Sequence, residues 1–594
     1  MIHNETLQRR LTLVGIGLIA ISAILLVRLI SFQFRMDPQI KQTFASQAEN
    51  RYNQTVEVMP NRGQIFDRNG HLLAGNSFEY RIGISPNQVV DRQETVAQLA
   101  PLVGMSEDQL YRRLLPDENG VYASYALLAS VVSFETGQAI ADLDIDGIII
   151  EPLPTRIYPQ GDLTAQIVGF FAGSESARTR RGYYGVEGFY ESLLAGQSKR
   201  VTRSTIPIVE ERGTSTFTVR DGISLVLTID RDLQYLAQEI LDKAVVDHGA
   251  TGGTILIMNP RNGEILAMAN NPTYKPEDFS PENLQLARNQ AVADAYEPGS
   301  VFKVVTMAMA LELGTHDLSW TYYDPGCFEE AGVTICNWDR ASHNNPTFAQ
   351  VFIESLNTGT ATIFKQMAER GGGLEVVYSM LREFGIGSPT GVDLEGETPG
   401  ILVEPGDPNW NEAQFLNNSY GQGVSVSTLQ MLTAMNAIAN DGLIMQPHIV
   451  KARIDGDQII ETRPSASHRP ISEETAHLAR DIMVQIVQDP ASLDDYHFEE
   501  YQVAGKTGTA QIPTPYGYDP SGSIASFIGF LPADDPVVSV LVKLDRPAGY
   551  WGSKTAAPVF QELVDRLVVL MEIPPDSERF QLMAQGGSPF NREY

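Results

Sequence analysis

Three short motifs, in a fixed order, carry residues able to do covalent chemistry. They are Ser300-Val301-Phe302-Lys303, Ser355-Leu356-Asn357 and Lys506-Thr507-Gly508-Thr509. A serine hydroxyl is a weak nucleophile until a base takes its proton. Lys303 is the base at hand, and a lysine serves only when neutral. Burial and a nearby cation lower its pKa to that end. The chemistry of such a set is acyl transfer through Ser300. The first motif has a plainer reading too, in which Ser300 only caps the helix that follows. The chain holds one Ser-x-x-Lys match, and it falls at an expected helix start.

The other two motifs are weak when taken singly. Ser-x-Asn also occurs at Ser85-Pro86-Asn87, far upstream, and at Ser342-His343-Asn344, in a polar stretch running into Pro346. Ser355-Leu356-Asn357 is preferred because a short turn between two helices projects Ser and Asn side chains into a cleft. In its plainer reading, Asn357-Thr358 caps the second helix. Lys506-Thr507-Gly508 is the only Lys-Thr-Gly in the chain. Lys506 would supply fixed positive charge near Lys303 and a substrate carboxylate, and Thr507 and Thr509 hydroxyl donors. Gly508 would admit an extended substrate close to the strand. An ordinary edge strand with one glycine is the plain alternative.

The elements that must position these residues are legible from pattern. Glu297-Pro298-Gly299 forms a turn, and the apolar run from Val301 to Leu311 reads as a buried helix. That puts Ser300 at a helix start with Lys303 one turn on. The helix N-terminus offers N–H groups to a developing oxyanion. Phe348–Glu354 and Thr360–Arg370 read as helices, the second ending at Gly371-Gly372-Gly373. Asp230–Val246 is helical, and Thr254–Asn259 with Glu264–Ala269 forms a hairpin around Asn262-Gly263. Gln502–Ala510, Ser526–Leu531 and Val537–Leu544 read as strands. One sheet built from both ends of this region follows, with helices on its faces. Residues 36–215 read as strand-rich with helix near Glu94–Leu114. Residues 574–594, with Pro574-Pro575 and Gly586-Gly587, read as a loose tail.

The 594 residues demand more than one domain. With 43 basic against 73 acidic residues, the net charge of −30 argues against nucleic acid. Zinc-type clusters, phosphate loops and HExxH are missing from the sequence, and no metal or organic cofactor is expected. Leu11 to Val27 carries no charge, and a helix over 11–34 would be ~36 Å long, enough to span a bilayer. No small-x-small site follows closely, which favours an uncleaved anchor with a short cytoplasmic head, residues 1–10, and the bulk exported. Cys327 and Cys336 flank a hairpin-like stretch near Gly332. A disulfide suits an exported domain, and two free thiols are the alternative.

The ordered motifs resemble those of a class B penicillin-binding protein, a monofunctional peptidoglycan transpeptidase. The resemblance covers roughly residues 10–570. It includes Arg62-Gly63-Gln64-Ile65-Phe66-Asp67-Arg68, Arg156-Ile157-Tyr158-Pro159 and Gly185-Val186-Glu187-Gly188-Phe189-Tyr190. Further along are Gly263-Glu264-Ile265-Leu266-Ala267-Met268 and Tyr420-Gly421-Gln422-Gly423. It implies a multidomain α/β architecture: a transmembrane helix (11–34), a mixed strand-rich pedestal (36–215), and a transpeptidase domain (220–573) with a central antiparallel sheet covered by helices. It implies a peptidoglycan stem donor ending in D-Ala-D-Ala, with Ser300 as nucleophile, Lys303 as base and Ser355 relaying a proton. Asn357 would hold the substrate backbone, and Lys506, Thr507 and Thr509 the terminal carboxylate. The oxyanion hole would be the N–H groups of Ser300 and Thr509. Lipid-linked precursor, β-lactams, the membrane, a polytopic SEDS-type glycosyltransferase and other wall-synthesis proteins are the implied partners. A compact pedestal leans towards a division role over elongation.

A β-lactam hydrolase shares all three motifs but needs a base for deacylation. Glu395, Glu397, Glu404 and Glu412 lie between the motifs without a decisive context. A β-lactam sensor would need a cytoplasmic output module, and so short a head cannot be one. A scaffold with a dead site is disfavoured by the intact motifs. The choice of second motif predicts that Asn357→Ala cuts penicillin acylation by about 10²-fold or more, as for loss of a positioned catalytic group. Asn344→Ala should be mild, and the opposite ranking, read by adduct mass against time, would overturn the choice.

Overall fold

The computed structural model describes residues 2–35, 53–58, 60–173, 180–204, 219–490, 498–515, 517–585 and 590. Two compact units emerge. One comprises residues 1–60 and 197–221, the other 61–196 and 222–594. The first holds a helix, Ile2–Arg35, and an antiparallel pair, Asn53–Val58 with Lys199–Ser204. Within that helix Arg9–Ser31 is a 23-residue apolar span of mean hydropathy 2.6 with no part buried. At 1.5 Å per residue it covers ~34 Å, matching a bilayer core of about 30 Å.

The second unit is organised around a five-stranded antiparallel sheet. Its strands are β1 (Gly252–Met258), β2 (Ile265–Asn271), β3 (Ala504–Thr514), β4 (Gly517–Leu531) and β5 (Val538–Asp545), in the order β2-β1-β5-β4-β3. Both ends of the segment thus build one sheet. Strand alternation sends successive side chains to opposite faces. Ile255, Ile257, Val540 and Val542 join one core with the helices α1 (Arg231–Asp247) and α6 (Ala556–Leu570). Leu256, Met258 and Leu541 join another with α2 (Lys303–Glu312), α4 (Asn357–Arg370) and α5 (Thr428–Ala439). A shorter helix, α3 (Phe348–Ile353), precedes α4. The strand interiors are mostly apolar on both sides because both faces are covered, with Lys506 and Lys543 among the buried exceptions.

A second, seven-stranded sheet joins regions that the sequence reading separated. Ile65–Phe66 pairs in parallel with Ser224–Leu227, which pairs in turn with Val450–Asp455. On the other side it continues through Leu72–Ile84 to Ala126–Val132 and Ile148–Ile157. Strands placed in the pedestal therefore share hydrogen bonds with strands placed in the transpeptidase domain. The expected break between 215 and 220 does not divide this sheet. Pairing between strands so distant in sequence has no local signal. The stretch from 574 also departs from expectation: Asp576–Ala584 is a helix. Arg579 on it is fully buried and paired with Asp534 and Asp576, and such a buried pair needs an ordered backbone.

β3 lies at the sheet edge, and Gly508 in its middle also has a packing role. A Cβ there would sit 2.5 Å from Ser526 Oγ and 2.8 Å from Val301 Cγ1. The missing side chain lets the turn bearing Ser300 lie directly on the strand. Gly508→Ala overpacks this contact, at a cost of about 1–3 kcal/mol. A melting temperature lower by a few degrees and slower penicillin acylation are expected. Unchanged values of both would show that the contact yields freely.

Candidate active site

Ser300 sits in a 3₁₀ turn, Gly299–Phe302, that feeds into α2 at Lys303. The sequence reading placed it at the start of an α-helix. The tighter turn repeats every three residues, so residues three apart eclipse. Lys303, three residues on, therefore lies on the same face of the turn as Ser300. Gly299 is left-handed at φ +59°, and a Cβ there would be 2.8 Å from Thr509 O. Its N–H donates to Gly421 O at 3.0 Å, and a Cβ on Gly421 would be 2.3 Å from Gly299 O. The nucleophile turn is thus wedged between β3 and the Tyr420–Gly423 loop, with backbone touching backbone on both sides.

Lys303 is wholly buried. Its Nζ donates to Ser355 O at 2.7 Å and Asn357 Oδ1 at 2.8 Å, and lies 3.2 Å from Ser355 Oγ. Burial, with the charge of Lys506 adding to it, pushes its pKa well below the ordinary lysine value. Ser355 holds a left-handed backbone, φ 55°, a strained conformation for a residue with a side chain. In that conformation its carbonyl is turned to the lysine. Asn357 opens α4 and donates from Nδ2 to Cys336 O at 2.9 Å.

The partner carbonyl of Asn357 belongs to a cross-linked hairpin. Cys327–Glu330 pairs with Val333–Cys336, and a disulfide joins Cys327 to Cys336. Behind it Asp324, fully buried, accepts from Gly326 N (3.0 Å), Asn337 Nδ2 (2.8 Å), His343 N (2.9 Å) and Thr358 Oγ1 (2.8 Å). Burial opposes its charge, but these donors outweigh it and hold the pKa below the carboxylate norm. One carboxylate therefore ties the 337–343 loop to the first turn of α4.

Lys506 is also buried, with Nζ 3.3 Å from Thr507 O. Burial pushes its pKa down to about 7. The fixed charge expected from sequence is therefore a charge that titrates near neutrality. Thr509 Oγ1 accepts from Gly552 N at 2.9 Å, which leaves its proton free to donate. Ser300, Ser355, Asn357, Lys506, Thr507 and Thr509 share one cleft of about 970 Å³. Gly508 faces the nucleophile turn instead. Lys303 is buried and meets the cleft residues Ser355 and Asn357.

Sequence reasoning missed the far wall of this cleft. Trp338, Arg340, His343, Glu354 and Trp551 line it, and Trp338 and Trp551 meet edge to face at 6.1 Å. Exposed tryptophans were the only available signal. Ser342 and Asn344 do not line the cleft: Ser342 Oγ donates to Asp324 O. The four glutamates considered as deacylation bases are outside the cleft lining too. Glu395 accepts from Tyr184 N, Glu397 from Thr390, and Glu404 pairs with Arg382. Among the described residues no group of three or more His, Cys, Asp or Glu could hold a metal ion.

Residues 253–565 match the model of the penicillin binding protein transpeptidase domain, and 57–207 that of the penicillin-binding protein dimerisation domain. The chain is 32% identical to Stage V sporulation protein D of Bacillus subtilis, over 94% of this chain and 85% of that protein. It is 28% identical to a probable peptidoglycan D,D-transpeptidase, PbpC of Pseudomonas aeruginosa, over 90% and 91%. A crystal structure of penicillin binding protein 3 from Mycobacterium tuberculosis in complex with aztreonam superposes with TM-score 0.66 at 28% identity, covering 88% of this chain and 98% of that one. Motif order, cleft and whole-length similarity agree, and the chain belongs to the penicillin-binding protein transpeptidase family.

Proposed function

We propose that this protein is a peptidoglycan D,D-transpeptidase that cross-links stem peptides through an acyl-enzyme on Ser300. One observation carries the reading: a buried lysine amine held on Ser355 and Asn357 beside a second buried lysine. A neutral amine donates two hydrogen bonds and keeps one lone pair. The two shorter contacts, to Ser355 O and Asn357 Oδ1, use the donors. The lone pair takes the Ser300 proton as Oγ adds to the penultimate carbonyl. The ammonium so formed has a third N–H for Ser355 Oγ, and Ser355 passes a proton to the leaving D-Ala amine. Lys506, Thr507 and Thr509 hold the terminal carboxylate, and the backbone N–H groups of Ser300 and Thr509 take the oxyanion. A neighbouring stem's amine then displaces Ser300.

The apolar Arg9–Ser31 span serves as a single-pass anchor, with the catalytic region on the extracytoplasmic side. A polytopic SEDS-type glycosyltransferase and other wall-synthesis proteins are the partners this placement fits. A membrane-impermeant fluorescent penicillin should therefore label Ser300 in spheroplasts, giving one adduct that Ser300→Ala abolishes. The adduct should last minutes or longer, because none of Glu395, Glu397, Glu404 and Glu412 lines the cleft, and a positioned deacylation base is worth about 10²–10⁴ in rate. Recovery of free enzyme within seconds would point to a β-lactam hydrolase, and labelling only after permeabilisation would reverse the topology.

Acylation by a penicillin needs Lys303 neutral and Lys506 cationic to meet the drug's carboxylate. Lys506 is charged below its pKa of about 7 and neutral above it. The second-order acylation constant, which reports the free enzyme, should fall as pH rises through about 7. Lys506→Arg keeps its charge and should remove that alkaline limb. A limb unchanged in the arginine variant would assign it to another group.

A further inference from the structure

We propose that the cleft wall beside Ser355 is the subsite for the acceptor strand, and that the acceptor end it takes is zwitterionic, with its ammonium on Glu354 and its carboxylate on Arg340. This rests on the transpeptidase reading and names the substrate class of its second half. Glu354 directly precedes Ser355, the hydroxyl next to the Lys303 amine. Glu354, Ser355 and Ser300 line the same cleft, so an amine bound at Glu354 is already in the cleft of the Ser300 ester.

The carboxylate is held for such a task. His343 binds Glu354 Oε2 through Nδ1 and Asp339 Oδ2 through Nε2 at 3.0 Å, and its backbone N–H is fixed on Asp324 Oδ2 at 2.9 Å. Burial disfavours the imidazolium, but the two carboxylates outweigh it and raise its pKa. Glu354 Oε1 keeps no hydrogen-bond partner among the described residues, and its side chain is 31% exposed. Arg340 lines the same wall and forms no ion pair among the described residues. An open carboxylate oxygen and an unpaired guanidinium, three residues apart from the same histidine on one side and bonded to it on the other, suit an α-amino acid end. The opposite wall already answers to the donor carboxylate through Lys506.

The transfer balances with these groups. The docked ammonium loses one proton to solvent. The amine adds to the Ser300 ester carbonyl, forming the amide C–N bond as the ester C–O bond breaks. Its second proton passes through Ser355 and Lys303 to the departing Ser300 oxygen.

The test uses the full chain in detergent with a thioester donor carrying a D-alanyl acyl group. Three acceptors are compared: D-alanine, a zwitterion; D-alaninamide, which lacks the carboxylate; and hydroxylamine, uncharged at neutral pH. Amide product is divided by hydrolysis product for each. Arg340→Gln should lower the D-alanine to D-alaninamide ratio about tenfold, the scale of one charge-assisted hydrogen bond. Glu354→Gln should lower transfer to both amines about tenfold relative to hydroxylamine, and Glu354→Asp should restore part of it. An unchanged ratio in Arg340→Gln would put the acceptor carboxylate on the Lys506 wall and overturn the proposal. So would an equal fall for hydroxylamine in Glu354→Gln. A wild type that binds penicillin yet transfers to no acceptor would instead remove the transpeptidase reading itself.

Discussion

The arrangement of this protein turns on keeping one lysine amine uncharged inside a core. Taking an ammonium out of water is expensive unless it is fully compensated. Lys303 Nζ meets a carbonyl, a carboxamide oxygen and a hydroxyl, none of them charged. They satisfy a neutral amine and do little to rescue a cation. A carboxylate in place of Asn357 would stabilise the ammonium and spoil the base. The second buried lysine, Lys506, adds repulsion in the same direction.

Much of the surrounding architecture serves that arrangement. The Ser355 carbonyl reaches Lys303 only because the residue accepts a left-handed backbone. Leu356, fully buried, and its N–H bond to Val351 O at 2.8 Å hold that turn from beneath. Asn357 is fixed from outside by the disulfide hairpin, and the same end of the hairpin by the four-donor cage around Asp324. A deletion in any of these would be felt at the amine without touching it, which is how a supporting shell acts.

The nucleophile is positioned by a different principle. Among the described residues, no side-chain hydrogen-bond network holds Ser300. Glycines at 299 and 421 let backbone segments meet at distances that a Cβ would forbid, and Gly508 leaves room for the Val301 side chain. Backbone contacts of this kind are stiff, because a main chain cannot rotate away as a side chain can. The serine is thus set by steric fit and its base by hydrogen bonding, and the two converge across the 3₁₀ turn.

Sequence alone determined the chemistry and the local elements. Ser300 and Lys303, Ser355 and Asn357, and Lys506 to Thr509 are short-range patterns. The hairpin at Asn262-Gly263, the helix capped by Asp230 and the apolar span near the N-terminus all follow from neighbours within one or two turns of chain. Tertiary structure decided what depends on partners far apart. It set the 3₁₀ form of the Ser300 turn, which packing against Thr509 and Gly421 imposes. It gave Gly508 a packing role against the Ser300 turn, and made Lys506 a titrating amine, because burial cannot be read from a tripeptide. It joined pedestal strands to Ser224–Leu227 in one sheet. It also brought Trp338, Arg340, His343 and Glu354 to the cleft, where their meeting is set by Asp324 and a disulfide. Periodicity reports the forces between residues near in sequence; contacts across hundreds of residues are fixed only when the whole core closes.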